Sequence, residues 1–142
     1  MKIPLSFIAI VFIAGCVNAQ KMKEAEVPSG TVSAFHKMYS TVKDYVWYNE
    51  DGNYEAEYKE GKMEAAVSFD KNGNLVETEK EIPVTALPSG IADYVTKNYD
   101  GATIKEASEI TDAKGVKTYE AEIKGKDVVF DANGKFLKEE KD

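Results

Sequence analysis

One order of short motifs occurs twice in this chain. Tyr54-Glu55-Ala56-Glu57 returns as Tyr119-Glu120-Ala121-Glu122. Phe69-Asp70-Lys71-Asn72-Gly73-Asn74-Leu75 returns as Phe130-Asp131-Ala132-Asn133-Gly134-Lys135-Phe136. Pro28-Ser29-Gly30 returns as Pro88-Ser89-Gly90, 60 residues on. Self-similarity at such a period is the mark of one supersecondary unit used more than once. The fold must therefore be one that two copies of a small unit can build together.

Each copy opens on Pro-Ser-Gly and an amphipathic stretch. Val32, Phe35, Met38 and Tyr39 fall at helical spacing in the first, and Ile91, Tyr94, Val95 and Tyr99 in the second. Proline suits a helix start, Ser29 and Ser89 are candidate caps, and Asp100-Gly101 is a stop signal. Strands are predicted over 43–50, 53–59, 62–70 and 75–82, then 103–111, 116–124, 126–131 and 135–140. Asp51-Gly52, Glu60-Gly61 and Lys71-Asn72-Gly73 are the first copy's turns; residues 112–115, Lys124-Gly125 and Ala132-Asn133-Gly134 are the second's. Each copy thus reads as one helix and four antiparallel strands, with residues 83–86 between them.

Turn positions assign faces, because directly paired residues share one. Tyr45, Trp47, Tyr54, Ala56, Tyr58, Met63, Ala65, Val67 and Phe69 lie together, as do Ala107, Tyr119, Ala121, Ile123, Val128 and Phe130. That apolar face belongs under the helices. The other carries Val46, Tyr48, Glu55, Glu57, Glu64 and Ser68, then Glu106, Ser108, Ile110, Glu120, Glu122, Asp127 and Val129. Antiparallel sheets commonly keep one face wet. This acidic face is therefore expected to be solvated and open to contact. Trp47, aligned with Glu109 in the second copy, is read as core rather than as an exposed anchor.

The N-terminus reads as an export signal. Lys2 precedes an apolar run over 3–15, too short for a membrane span. Two exits compete. Val17-Asn18-Ala19 fits ordinary cleavage, giving a signal peptide of residues 1–19. Ile13-Ala14-Gly15-Cys16 fits a lipoprotein signal of residues 1–15 with Cys16 lipidated. Residues 20–26 read as a charged tether, and 27–142 as a single domain of two repeats, 27–82 and 87–142. Cys16 is the only cysteine, so no intrachain disulfide can form and the core must supply the stability. The formal charge of −7 becomes −8 once Lys2 is removed, with no basic cluster. That argues against nucleic acid and anionic membranes and for neutral or basic partners.

The doubled motifs, with Leu87-Pro88-Ser89-Gly90, Ile104-Lys105, Val129-Phe130-Asp131 and Asn133-Gly134, resemble the PepSY-like, beta-lactamase-inhibitor-like proteins exported by Gram-negative bacteria. The resemblance covers roughly residues 27–142. It implies an α+β fold in which two helix-plus-four-strand units form one extended curved sheet with helices on one face. It also implies a non-enzymatic binding role in the periplasm or cell envelope.

Catalytic and metal chemistry find little support. Asp70-Lys71-Asn72-Gly73 and Asp131-Ala132-Asn133-Gly134 begin like calcium loops, and the twelfth positions hold Glu81 and Asp142. Strand flanks and Asn-Gly favour plain hairpins instead. His36 is the only histidine, no Gly-x-Ser-x-Gly occurs, and the paired carboxylates Glu55 with Glu57 and Glu120 with Glu122 sit on an open sheet rather than across a cleft. No cofactor, metal site or catalytic residue is predicted. The expected contact residues are Tyr48 and Val46, rimmed by Glu55, Glu57, Glu120 and Glu122. The expected partner is another exported protein, a peptidase or hydrolase by analogy. The alternative is a carrier for a small apolar ligand between sheet and helices.

Overall fold

The computed structural model describes residues 19–141. The apolar leader and Cys16, and with them the choice between the two exits, lie outside the described residues. The elements are β1 (Gln20–Met22), a 3-10 turn (Glu24–Glu26), α1 (Ser29–Met38), β2 (Tyr45–Glu50), β3 (Asn53–Glu60), β4 (Met63–Phe69) and β5 (Leu75–Ile82). A second 3-10 turn (Val84–Ala86), α2 (Ile91–Asn98), β6 (Glu106–Asp112), β7 (Lys117–Ile123), β8 (Lys126–Asp131) and β9 (Phe136–Glu140) follow. The nine strands make one sheet in chain order, and every neighbouring pair is antiparallel. This is an α+β protein with two helices packed on one sheet face.

The predicted strands are all present, and β1 is a ninth. Residues 20–26 do not form a tether. Gln20, Lys21 and Met22 pair with Asn49, Tyr48 and Trp47, and Met22 packs on the core beside Trp47. Three residues are too few to show a period of two, so the pairing left no pattern in the sequence. Ser29 and Ser89 do not cap. Pro28 and Gly90 hold the N-cap positions, with no side-chain hydrogen bond at either. Met38, expected on the buried stripe of α1, is 51% exposed, while Thr31 and Phe35 are fully buried. The stop near Asp100-Gly101 holds: both residues have positive φ, and the Gly101 N–H donates to the Thr96 carbonyl at 3.0 Å.

The recurring motifs touch each other. The turn glycine Gly73 lies against the start of α1, where a Cβ would come within 2.8 Å of the Gly30 carbonyl oxygen. Gly134 lies against the start of α2, where a Cβ would come within 3.1 Å of the Ser89 carbonyl oxygen. Both glycines have φ of +80°. The Thr31 hydroxyl donates to the Asp70 carbonyl at 2.9 Å, tying the same helix to the same turn. Pro-Ser-Gly and Asp-x-Asn-Gly therefore recur together because each is the other's docking surface.

Two apolar clusters fill the space between helices and sheet. The first centres on Phe35, whose ring lies 4.8 Å from Tyr45 and 5.3 Å from Trp47. The second centres on Ile91, Val95, Val128 and Phe130. Register shows how they differ. Trp47 pairs with Ala56, and Ala107 pairs with Ala121. The counterpart of Trp47 is thus Ala107, not Glu109. The turn between β6 and β7 is longer than Asp51-Gly52, which shifted the sequence alignment. The rings lost by replacing Phe35 with Val95, Trp47 with Ala107 and Tyr58 with Ile123 are made up elsewhere, by Tyr94 stacked on Phe136 at 5.2 Å. Close packing demands such paired changes.

Candidate functional site

The face opposite the helices is the candidate site. Its residues are placed by the ladders. Tyr48 pairs with Glu55 and Val46 with Glu57. Glu55 then pairs with Ser68, and Glu57 with Ala66. Ser68 and Ala66 pair with Glu77 and Glu79 on β5. Glu79 pairs with Ile110, and Glu81 with Ser108. Ser108 pairs with Glu120, and Glu106 with Glu122. Val129 and Asp127 on β8 complete it, opposite Lys138 and Glu140 on β9. All six predicted contact residues therefore share this face: Val46, Tyr48, Glu55 and Glu57 at one end, and Glu120 and Glu122 at the other.

The face is not the solvated surface that its sequence suggests. Glu55 is 5% exposed, Glu79 7%, Glu120 7% and Asp127 5%. Ser68, Ser108 and Val129 are buried with them, while Val46, Tyr48, Glu57 and Glu122 are half-buried. Carboxylates crowd one another across adjacent strands and shut water out without a helix above them. Burial of charge at this density is costly unless the groups are paired or neutralised. Desolvation first, and neighbouring carboxylates next, push Glu55 up to about 8 and Glu57 up to about 7. The same causes push Glu120 up to about 8 and carry Glu79 well above the usual carboxylate range. Burial also raises Glu50, Glu77 and the Tyr48 phenol.

Hydrogen bonding offsets this only in part. The Ser68 hydroxyl donates to Glu55 at 3.1 Å, and Ser108 lies within reach of Glu79. Among the described residues, Glu79 Oε1, Glu50 Oε1 and Glu140 Oε2 have no hydrogen-bond partner. All three stand on this face. The nearby cations are at its margins, where Lys59 pairs with Glu64 at 3.5 Å and Lys138 pairs with Glu140.

Sequence reading missed Glu79 and its neighbours on β5. The run Glu77-Thr78-Glu79-Lys80-Glu81 is polar at every position, so alternation gives no face. Counting back from the Lys71-Asn72-Gly73 turn misleads as well. The register shifts by one between Ser68 and Phe69, and a one-residue slip reverses every side chain beyond it. The turn at Glu60-Gly61 was also displaced. Glu60 pairs with Met63, so Tyr58 meets Ala65 rather than Met63, a slip of two that leaves the faces unchanged.

The other predicted chemistry resolves into structure. Asp70 Oδ1 accepts from the N–H groups of Asn72 at 2.8 Å and Asn74 at 2.9 Å, and Oδ2 accepts from the Asn74 amide at 2.8 Å. Asp131 accepts from Asn133 and Lys135, and Asp112 from Lys114 and Val116, in the same way. These are turn-closing aspartates, and Asn74 above all holds the Asp70 carboxyl below its usual range. His36 sits on the exposed side of α1, 3.6 Å from Glu24 and edge-on to Phe35. Among the described residues, no group of three or more His, Cys, Asp or Glu is arranged to hold a metal ion. Nor is any helix there long and apolar enough to cross a membrane.

The fold is a nine-stranded antiparallel meander with two helices on one face and a carboxylate-rich opposite face. Residues 52–138 match the family described as "Putative beta-lactamase-inhibitor-like, PepSY-like", and the chain belongs to that family. No curated protein matches it. Among solved structures it is similar to a protein of Bacteroides eggerthii described as a putative periplasmic protein. Identity there is 13%, 81% of this chain and 88% of that one are covered, and the TM-score is 0.72. It is also similar to a BLIP-like protein of Bacteroides fragilis, with 21% identity, 81% and 86% coverage and a TM-score of 0.63. These likenesses show a shared fold.

Proposed function

We propose that this chain is a non-enzymatic binding module of the cell envelope that docks another exported protein through its uncovered sheet face. The carrying observation is the burial there of Glu55, Glu79 and Glu120 with no covering helix among the described residues. A surface that pays desolvation without a helix to repay it is built for an occupant. The family description and the periplasmic description of the Bacteroides eggerthii relative support the same reading. So does the leader at residues 1–19, whether it is cleaved after Ala19 or lipidated at Cys16. The chain is best described as two copies of one helix-plus-four-strand unit, since the turn-to-helix contacts of Gly73 and Gly134 repeat with the motifs. Inhibition or regulation of a peptidase or hydrolase is the role that fits such a scaffold, by analogy with fold relatives. The space a small apolar ligand would need is occupied by Phe35, Phe69, Phe130, Ile91 and Val95, all fully buried.

The test is cross-linked capture from a periplasmic extract, with the chain and its Tyr48→Ala, Glu57→Lys double variant as baits. The same protein should be enriched by the first and lost from the second. Equal capture by both baits rules out the face as the docking site.

A further inference from the structure

The unpartnered oxygen of Glu79 says what the occupant carries. Glu79 lies on β5, the middle strand of nine, and its side chain is almost wholly buried with Oε1 unbonded. Glu55 on β3 and Glu120 on β7 stand two strands to either side. Neighbouring strands are about 4.8 Å apart, so these carboxylates form a diagonal line with roughly 10 Å between backbones. The groups facing Glu79 are of one sign. Glu77 and Glu81 flank it on β5, Glu120 and Glu55 act on it from β7 and β3, and Ala66 and Ile110 are its partners on the neighbouring strands. The lysines of the face belong to outer positions: Lys21 acts on Glu57, Lys59 pairs with Glu64, and Lys138 pairs with Glu140 and also acts on Glu120 and Glu77, while Glu79 itself has no lysine among the charges that act on it.

We propose that the uncovered face receives an arginine or lysine side chain, carried on an extended segment of the docking protein, with its cationic head seated against Glu79 between Glu55 and Glu120. This rests on the docking role proposed above and names the chemistry of that occupant. A guanidinium or ammonium group supplies the donors that Glu79 Oε1 lacks and a positive charge at the centre of the line. A metal ion is the poorer match, since among the described residues no three His, Cys, Asp or Glu side chains are arranged to hold one. An acidic or purely apolar segment would leave the oxygen unbonded and the repulsion unrelieved.

Seating a cation also has a proton consequence. Empty, the line holds protons that burial and mutual repulsion keep on it. A bound cation favours the ionised form, so protons leave as the segment enters. Binding should therefore tighten as pH rises through the neutral range, up to about tenfold per pH unit for each proton released.

The experiment is titration calorimetry with the exported chain and an acetylated, amidated peptide of alternating arginine and glycine. Its glutamate-glycine counterpart, spermine and calcium chloride serve as comparison probes. The wild type should bind the arginine peptide about tenfold or more tightly at about pH 8.5 than at about pH 6, with proton release seen in buffers of different ionisation enthalpy. Glu79→Gln, which keeps shape and folds without a buried charge, should lose about tenfold or more. Glu120→Gln serves as the second variant should the first melt early. Tighter binding of spermine than of the peptide points to a free polyamine and overturns the docked segment. Calcium binding that either variant abolishes overturns the proposal in favour of a metal. Equal binding of the peptide by wild type and both variants overturns it too. That last result leaves the docking role standing as long as the Tyr48→Ala, Glu57→Lys bait still loses its captured protein.

Discussion

The two faces of this sheet are both buried, and by opposite means. On the helix side, Trp47, Ala56, Val67, Phe69, Val128 and Phe130 meet Phe35, Ile91 and Val95 in closed apolar clusters. On the other side, Glu55, Glu79 and Glu120 are 5–7% exposed, and among the described residues no helix lies over them. Burial of the first kind drives folding, because apolar area leaves water. Burial of the second kind opposes it, because desolvation is the largest effect on Glu55, Glu79 and Glu120 and it penalises their charged forms. One face is finished by the chain itself. The other is built of carboxylates that the described helices do not cover.

The contrast is sharpest under truncation. Phe35→Ala should cost about 3–5 kcal/mol, since a fully buried ring at the centre of the aromatic cluster leaves a cavity. Tyr48→Ala, half-buried on the uncovered face, should cost about 1 kcal/mol. Urea unfolding curves followed by circular dichroism measure both. Comparable losses at the two positions would mean that the uncovered face is as much a structural core as the covered one.

Next in size is the turn that docks on α1. Gly73→Ala faces a positive φ and a Cβ placed 2.8 Å from the Gly30 carbonyl oxygen. Left-handed strain and overpacking together should cost roughly 2–4 kcal/mol. Gly52→Ala shares the positive φ but meets nothing within 4 Å. It should cost only the strain, about 1 kcal/mol. Thermal melts of the two variants side by side separate contact from conformation. A Gly73 variant no worse than the Gly52 variant would remove the turn-to-helix contact as the reason the motifs recur together.

The covered face was legible in the sequence because hydrophobic alternation writes it directly. Tyr54, Ala56 and Tyr58 against Glu55 and Glu57 settle β3, and the Asp51-Gly52 turn carries the assignment to β2. The uncovered face was legible only where it shares a strand with apolar residues. On β5, glutamate alternates with Thr78 and Lys80, so no period distinguishes the sides, and the shift at Ser68/Phe69 defeats counting from the turn. Burial of Glu55 and Glu120 was hidden for a different reason. A sequence shows which residues share a face but not how closely nine strands crowd them. The short β1 was hidden because three residues, Gln20, Lys21 and Met22, carry no period, although they complete the edge beside Tyr48.

The acid–base behaviour of the two faces gives a smaller and more specific test. A carboxyl with a raised pKa holds its proton more tightly folded than unfolded. Its stabilising effect is full below the unfolded value of 4.5 and is lost as pH rises through about 8, for Glu55 and Glu120 alike. Thermal stability should therefore fall between about pH 5 and about pH 9. Glu24, Glu109 and Glu139, held low by hydrogen bonds to Tyr45, Lys117 and Lys126, act in the opposite sense. Their contribution is present above 4.5 and is lost as pH falls below it, so stability should peak in weakly acidic solution. Glu79→Gln should raise the melting temperature on the alkaline side and flatten the decline, by about 1–3 kcal/mol of relieved desolvation. A decline equally steep in that variant would place the responsible protons elsewhere.

The smallest effect is expected where a carboxylate already has its cation. Glu109 lies on the helix side of β6, accepts from the Lys117 ammonium at 2.6 Å and from the Tyr119 hydroxyl at 3.1 Å, and stays below its usual pKa. Lys117 is exposed and its pair is screened by water, so Lys117→Met should change stability little and should leave the alkaline decline untouched. Glu109 and Glu79 occupy adjacent strands and differ chiefly in whether a lysine answers them from the same molecule. If losing Lys117 steepened the alkaline decline as strongly as Glu79→Gln relieves it, a local cation would be the whole difference between the faces. A negligible change leaves the density of buried carboxylates as the property that sets the uncovered face apart.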